Sequence, residues 1–454
     1  FTYKNTYAMT LPGFRPEVGD MFGQKKHGGF LAPGMDFAFG FTGDGYIDRA
    51  LQNDWLICND SVVSPASSNA LEDLQLRISL EPIRDLKIDL TANRTRNRSR
   101  EIQYMFEGMP DTRSGNFSMS IISIGSAFER PSAGDGYHSG TFERFRRNLD
   151  VIRDRVESQF LGAQYPQGSA LAGKTFDPAN GTISKHSPDV MIPAFLAAYT
   201  GKSARNSALD FFPSLFSMMP NWRITYTGLT KIAWFKKNFR SVNLNHAYRS
   251  TYSVGSYNTF QSFMSYMGDI GFVEDVQSGN PIPSSRFDIS MVSINEQFSP
   301  LIGMDATLKN GLTAKVEYKT SRILNLSMSA CQLVETASRD FVIGLGYKIV
   351  NFNLFSGRNV KDSKNRVSHD LALRADISFR NQSALCRDIQ QGFAQATNGN
   401  KALKISCSAD YTLSRLLTLR LYYDRQQNTP LVSSSSYPVV SADFGFSMKF
   451  SLTR

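Results

Sequence analysis

The residues that could perform catalysis or hold a metal are scattered along this chain of 454 residues. Its five histidines lie far apart, and neither a His-Glu-x-x-His pattern nor a Cys-x-x-Cys pair occurs. No Gly-x-Ser-x-Gly nucleophile motif is present, and acidic pairs such as Glu72-Asp73 are typical of solvated turns. An active site would have to be assembled from remote strands, as in an outer-membrane phospholipase or protease barrel. We therefore expect no enzyme, no metal and no cofactor.

Glycine and cysteine patterns also indicate structure rather than chemistry. The stretch Gly23–Gly45 is rich in glycine, but no strand leads into it and no Gly-Lys-Ser/Thr follows, so it does not predict a phosphate-binding loop. We interpret it as an irregular loop that needs special backbone angles. The spacing of Cys58, Cys331, Cys386 and Cys407 argues for no particular disulfide. Cys407 falls on an apolar strand face, where a free thiol acts as a small hydrophobic group.

The basic charge of the chain does not by itself identify a partner. The formal net charge is +10, and most Arg and Lys residues stand singly on polar strand faces. The densest clusters are Arg94–Arg100 and Arg144–Arg155, and no recognised nucleic-acid-binding module accompanies them. We therefore expect no nucleic-acid partner.

The strongest pattern is a strict alternation of apolar and polar residues in the last part of the chain. In Ala442–Leu452 every second residue is apolar, and Leu312–Tyr318, Leu371–Phe379 and Leu403–Leu413 repeat the pattern. Several such strands have about 9–13 residues, which suits the about 9–11 residues of a membrane-spanning strand better than the about 5–6 of ordinary strands. No stretch of 18 apolar residues exists, so a membrane role requires a barrel. A β-sandwich with one wet face remains the alternative.

The connections between strands carry a second signal. Barrels of the outer membrane have short turns on one side and longer loops on the other. We predict short turns at Thr320–Arg322 and Leu413–Leu416, and long connections at Asn381–Asn400 and Gln426–Tyr437. About fourteen to sixteen strands are expected, and a barrel cannot expose an open edge to lipid. The chain therefore closes alone or forms one arc of a larger barrel, and its start at Phe1 favours the arc.

A helical segment interrupts the strands. Between residues 139 and 205, apolar residues recur at helical spacing from Phe142 to Phe160, and Ser187-Pro188-Asp189 predicts the start of a second helix. We expect these helices to cover a sheet edge, fill a lumen, or dock a partner or a membrane. The expected organisation is an irregular Gly/aromatic-rich segment 1–70, luminal or periplasmic, then barrel strands 71–138, a helical insert 139–205 and C-terminal barrel strands 206–454.

Several collinear segments resemble the SprA/Sov family. They are Leu80–Arg94, Pro220–Leu229, Phe239–Val242 with His246–Ser256, Ile343–Ile349 and Leu419–Gln426. That family forms the outer-membrane translocon of the type 9 secretion system in Bacteroidota and is tied to gliding motility in gliding species. The chain resembles the C-terminal part of the family's proteins. The residues carried over from its second signature are Pro220, Asn221, Trp222, Arg223, Tyr226 and Gly228.

The resemblance implies a mainly β protein, an antiparallel transmembrane β-barrel built as an arc of a very large barrel with a small helical insert. It implies a protein-conducting channel in the cell outer membrane that exports folded cargo carrying a C-terminal signal domain. The implied partners are membrane lipid, a PorV-type shuttle protein at a lateral opening, a plug protein, and the N-terminal part of the same polypeptide. The alternative function is an outer-membrane solute transporter or a structural barrel.

The two strand faces then have different expected surroundings. The lipid-facing side chains are expected to include Leu403, Ile405, Phe444, Phe446 and Phe450. The lumen-facing side chains are expected to include Arg374, Asp376, Lys404, Asp410 and Lys449. Lumen charge of both signs would keep a wide pore wet without a strong binding site for one cargo. The segments 12–45 and 139–205 are the expected intraluminal or periplasmic elements.

Overall fold

The computed structural model describes residues 1–16, 34–40, 42–43, 45–59, 64–105, 111–129, 131–350, 352, 370–413, 417–432 and 437–450. Within these ranges about half of the residues form one antiparallel sheet of 14 strands, and a small sheet of three strands stands apart from it. The expected fold class, mainly β with a large antiparallel sheet and a few helices, is confirmed.

The strands and helices follow each other in an order that keeps sequence neighbours adjacent in the sheet. The strands are β1 Thr2–Thr10, β2 Ala66–Ile83, β3 Leu86–Ile102, β4 Asp111–Ser120, β5 Asn221–Tyr226, β6 Phe239–Thr259, β7 Met264–Met267, β8 Ile270–Glu274, β9 Pro281–Ser285, β10 Phe287–Ile289, β11 Met291–Leu308, β12 Leu312–Ser327, β13 Gln332–Ile349, β14 Leu371–Asp388, β15 Ala394–Thr412, β16 Leu417–Pro430 and β17 Val439–Phe450. The helices are α1 Met35–Ala38, α2 Gly45–Gln52, α3 Gly140–Ser158, α4 Pro188–Thr200 and α5 Ala233–Asn238. The large sheet runs β1-β2-β3-β4-β6-β11-β12-β13-β14-β15-β16-β17, and β5 and β10 pair beside this path.

Strands β4 and β5 together occupy one strand position of the sheet, between β3 and β6, and we call this interrupted strand the split stave. β4 pairs with β3 at residues 94–102, and β5 pairs with β3 at residues 86–91. Both halves also pair with β6, again at consecutive stretches. The chain therefore leaves the sheet after Ser120, forms the helical segment, and returns at Asn221 to complete the same stave.

The long strands extend well past their apolar runs, which corrects two expected connections. The predicted turn at Thr320–Arg322 is wrong, because β12 continues unbroken to Ser327. The predicted long loop Asn381–Asn400 is wrong, because β14 reaches Asp388 and β15 starts at Ala394. Backbone pairing does not depend on side-chain polarity, so polar residues prolong the strands beyond the apolar stretch.

The N-terminal segment is more ordered than its composition indicates. The expectation of an irregular segment over residues 1–70 is wrong at both ends, because Thr2–Thr10 pairs with β2 and Ala66 already belongs to β2. The tyrosines and threonines of this stretch suit a strand. The centre of the Gly-rich stretch, residues 17–33, lies outside the described residues, as do residues 353–369.

The predicted helices are confirmed, and a serine stands at the N-cap position of each, although only Ser139 caps with its side chain. The Ser139 side chain accepts a hydrogen bond from the Phe142 N–H at the start of α3. Ser187 precedes Pro188 at the start of α4, which ends at Gly201 in the left-handed conformation. Phe145 and Phe195 of these helices lie 6.0 Å apart, centroid to centroid, in the main apolar core. Among the described residues, none of the helices is long and apolar enough to cross a membrane.

Candidate functional site: the two faces of the wall

The connections β2–β3, β11–β12 and β15–β16 lie at one end of the large sheet, which we call the turn end. Near this end, one face of the sheet carries a continuous apolar band. From β13 to β15 the register aligns isoleucines across strands: Ile343 lies opposite Ile377, and Ile377 lies opposite Ile405. On β16 the residue opposite Ile405 is Arg425. At the last strand Phe444 is 72% exposed and Phe446 is 59% exposed. The predicted lipid-facing residues all lie on this face, namely Leu403, Ile405, Phe444, Phe446 and Phe450. So wide an exposed apolar surface requires apolar surroundings.

The opposite face is polar and carries charges of both signs. The predicted lumen-facing residues share this face, namely Arg374, Asp376, Lys404, Asp410 and Lys449. Arg420 lies 3.6 Å from Asp410, nitrogen to oxygen. On β12, the Glu317 carboxylate forms salt bridges with the amino groups of the flanking Lys315 and Lys319, with nitrogen–oxygen distances of 3.0 and 2.9 Å. That this face meets a lumen stays a prediction.

A buried cluster of charged and polar side chains lies on the apolar face beyond the band, and we call it the polar belt. The two side chains Glu296 and Arg322 are 2% and 8% exposed and meet at 2.7 Å. Tyr248 OH and Ser123 Oγ donate to the other carboxylate oxygen of Glu296 at 2.8 and 2.7 Å. Arg322 also donates to the carbonyl and hydroxyl oxygens of Ser126 at 2.7 and 2.8 Å. The belt therefore ties the segment after β4 to the sheet.

Further arginines of the same face repeat this arrangement on β13 and β14. Arg387, fully buried, donates to Glu335 at 3.0 Å and to the carbonyl of Tyr137 at 2.7 Å. Arg339 donates to the carbonyl of Glu129 at 3.2 Å. Each arginine satisfies backbone carbonyls that packing has removed from water, which lowers the cost of their burial.

Glu129 fixes the start of α3. Its carboxylate accepts hydrogen bonds from the Thr141 N–H at 2.9 Å and from the Ser139 hydroxyl at 2.5 Å. Partial burial raises the pKa of this carboxyl, but these hydrogen bonds more than offset it, and the net pKa lies below the usual value. An ionised carboxylate at a helix N-terminus is also favoured by the helix dipole.

Pro220, Asn221 and Trp222, three of the residues that carry the sequence resemblance, lie at the break in the split stave. Asn221 accepts from the Ser250 N–H at 2.7 Å and donates to Ser120 Oγ at 3.2 Å, while Ser120 Oγ accepts from the Asn93 N–H at 3.0 Å. These side chains replace the ladder bonds that the break removes from β3 and β6. Trp222 stacks on Tyr248 with centroids 4.5 Å apart.

The other residues that carry the resemblance shape the end of this stave. Arg223 lies on the polar face, where it lines a cleft together with Asp89 and Arg249. Gly228 is buried, and a Cβ there would come within 2.9 Å of the Tyr226 ring, so a larger residue would displace that ring. Pro220 directly precedes β5.

An Asn221→Ala variant is expected to be less stable by about 1–3 kcal/mol, because the buried Ser250 N–H loses its acceptor. The measurement is the free energy of unfolding in detergent micelles. Asn243→Ala, on the polar face of β6, is the matched control and should change it by less than about 0.5 kcal/mol. Equal effects of the two substitutions would contradict the assigned role of Asn221.

The helical segment packs against the apolar face of the sheet. Leu324 and Leu326 of β12 lie in the helix core, and alternation puts them on the same face as Tyr318 of the apolar band. The smaller core around α2 includes Ala66 and Ile102, which share that face as well. The contacts place the helical segment and the α2 core on the apolar face of the sheet. The intraluminal or periplasmic position expected for the segments 12–45 and 139–205 stays a prediction.

The sequence pattern did not identify the polar belt. Glu296, Arg322 and Arg387 occupy the apolar face, where the alternation predicts apolar side chains. A charged residue at an apolar position of a long strand is the signal that could have indicated a covered site, since buried charges need partners. The partner segment, residues 121–139, carries no pattern that predicts its position.

The fold and the two faces define the class of protein: an antiparallel β protein whose large sheet has one apolar face and one polar face. No protein-family model and no curated protein matches the chain. Two solved structures resemble it. The first is the β domain of the Bordetella autotransporter BrkA, with a TM-score of 0.24, 6% identity, and coverage of 87% of this chain and 94% of that one. The second is OmpT, a Vibrio cholerae outer membrane protein, with a TM-score of 0.21, 10% identity, and coverage of 85% and 91%. Likenesses this low carry no argument about function.

Proposed function

We propose that this chain is an arc of a large outer-membrane β-barrel that serves as the protein-conducting channel of a type 9 secretion system. The observation that carries the proposal is the continuous two-faced sheet, with an exposed apolar band on one side and mixed charge on the other. The band spans about nine residues on β14, from Leu371 to Phe379, which matches a tilted membrane-spanning strand.

The edges of the sheet support an arc rather than a closed barrel. In the described part of the chain, β1 pairs only with β2 and β17 only with β16. Lipid-exposed strand edges are unfavourable, since their backbone groups would lack partners. We propose that strands from another part of the same polypeptide complete the wall.

The lengths of the connections support an orientation. The turns β2–β3 and β11–β12 at the turn end have two or three residues, although residues 350–370 form a longer connection there. The opposite end carries the segments 121–220 and 260–290. Because barrels of the outer membrane have longer loops outside the cell, we propose that this second end is extracellular.

The composition of the polar face favours protein passage over selective solute binding. Charges of both signs alternate, as at Lys315, Glu317 and Lys319, and many pair locally. Such a surface stays hydrated without a strong field of one sign. The proposed cargo is folded protein with a C-terminal signal domain, and the proposed partners are a PorV-type shuttle and a plug protein. These assignments rest on the sequence resemblance to the SprA/Sov family.

Depletion of this protein is the test of the function. Export predicts that proteins with the C-terminal signal domain accumulate in the periplasm, measured by cell fractionation and immunoblotting, while uptake of small nutrients continues. Restoring the intact gene should restore secretion. Intact secretion with a growth defect on one nutrient would support the solute transporter instead, and intact secretion and growth would support a structural barrel.

A further inference from the structure

In residues Ile122–Phe128 the serines are buried and several apolar side chains are at least partly exposed, whereas the preceding Ile121 is buried in the main apolar core. Ser123 and Ser126 are 1% and 3% exposed and bond to the polar belt, whereas Phe128 is 54% exposed. Ile122 and Ile124 are partly exposed. A surface segment in water normally buries its isoleucines and exposes its serines. This segment therefore faces apolar surroundings on its outer side.

A second segment of the insert, Leu215–Met219, exposes apolar side chains just before the chain returns to the sheet. Phe216 is 96% exposed, Leu215 45% and Met219 41%. The Met219 N–H donates to the Ser120 carbonyl at 3.1 Å, which attaches this segment to the split stave next to the first one.

Both segments lie at the border where the apolar band of the wall ends. The Phe128 ring lies 5.4 Å from the Phe298 ring, and Phe298 lies 4.8 Å from Tyr248. Trp222, in the band portion of the split stave, stacks on Tyr248. The exposed apolar fringe of the insert is thus continuous with the band and lies on the same face of the sheet.

We propose that these two segments form a foot by which the insert rests in the interfacial layer of the lipid bilayer. The occupant is the boundary between lipid headgroups and acyl chains, because the fringe continues an apolar band that already requires lipid. Aromatic and aliphatic side chains above a polar, hydrogen-bonded layer are the composition of surface-resting membrane segments. This inference depends on the proposed outer-membrane location and deepens it.

The first segment of the foot covers the polar belt. Glu296 and Arg322 project from the same face of the sheet as the apolar band. A few residues closer to the turn end, that face meets lipid. Residues Ile122–Phe128 lie over this pair, with Ser123 and Ser126 toward the charges and Phe128 exposed on the outer side. Charged groups on a lipid-exposed strand face are destabilising, so the foot separates the belt from acyl chains.

Nitroxide labels in the full-length protein, reconstituted in phosphatidylethanolamine/phosphatidylglycerol vesicles, test the foot. The four cysteines are free and can be replaced by serine. Single labels then go to Phe128→Cys and Phe216→Cys, with Phe444→Cys as the wall reference and Val276→Cys as the aqueous control. Val276 is 100% exposed on the insert side of the sheet. The readout is the depth of each label from its relative accessibility to oxygen and to a water-soluble nickel chelate.

The labels at Phe128 and Phe216 are expected within about 5–10 Å of the headgroup boundary, between the deep Phe444 label and the aqueous Val276 label. If Phe444 is deep but both foot labels are as aqueous as Val276, the foot is overturned and the membrane wall stands. If the Phe444 label is aqueous too, the proposed outer-membrane function fails together with the foot. All four positions are exposed, so labelling leaves the core intact.

Discussion

Arg322→Met is expected to lower the free energy of unfolding by about 3–5 kcal/mol, the cost of leaving a buried charge without its partner. Glu296 would remain 2% exposed with a charge, and the Ser126 carbonyl would lose its donor. The segment that covers the polar belt should loosen first, since Arg322 bonds to it directly. The measurements are denaturant unfolding in micelles and the rate of proteolytic cleavage within residues 121–139.

Two controls separate this effect from a general loss of charge. Arg420→Met removes the partner of Asp410 on the polar face, where Arg420 is 55% exposed, and should cost no more than about 1 kcal/mol. The double variant Glu296→Met/Arg322→Met removes both buried charges, and replacement of a buried pair by apolar residues is often neutral. It should recover most of the lost stability. A double variant as unstable as the single one would refute the pairing as the cause.

Cys407→Arg is expected to destabilise the membrane-inserted protein by about 2–4 kcal/mol, the cost of an arginine on the lipid face near the midplane of a barrel. Cys407 lies in the middle of the apolar run of β15, between Ala375 and Tyr423 on the neighbouring strands. It lines an apolar concavity of about 340 Å³, so the larger side chain has room. In water, substitution of this exposed residue would change stability by only about 0.5 kcal/mol.

The neighbouring residue offers a matched control. Ser406→Arg places the same charge on the polar face, opposite Asp376 and Asp424, and should be tolerated. The measurement is the fraction of each variant that folds into vesicles, read from heat modifiability on gels and from unfolding in urea. Equal tolerance of the two substitutions would contradict the assignment of the apolar face to lipid.

Alternation along the chain was sufficient to predict the fold class and the membership of each face. The even or odd position of a residue in a strand decides its face, and a shift of one residue would expose the wrong set. Leu403 and Phe444 therefore share a face with certainty once their strands pair in register. The helices were predictable for a similar reason, because Phe142, Phe145 and Leu149 recur at helical spacing.

Strand ends and the polar belt were not predictable from the same pattern. Thr320–Arg322 reads as a turn, yet it continues β12, because the ladder depends on backbone groups and Arg322 finds a partner on β11. A second partner of Arg322, Ser126, comes from a distant part of the chain and reaches it only because the stave is split. A charged residue at an apolar strand position indicates that a partner is needed, but at such sequence separation nothing in the sequence identifies that partner.

The split stave also determines how the insert can vary. The chain leaves the sheet after Ser120 and re-enters it at Asn221, and one asparagine side chain bridges the gap. Because exit and entry adjoin, the length of chain between them leaves the register of β3 and β6 unchanged. The part of the insert beyond residues 121–139 can thus lengthen, shorten or change in sequence while the sheet keeps its geometry, so one sheet architecture can carry different surface domains.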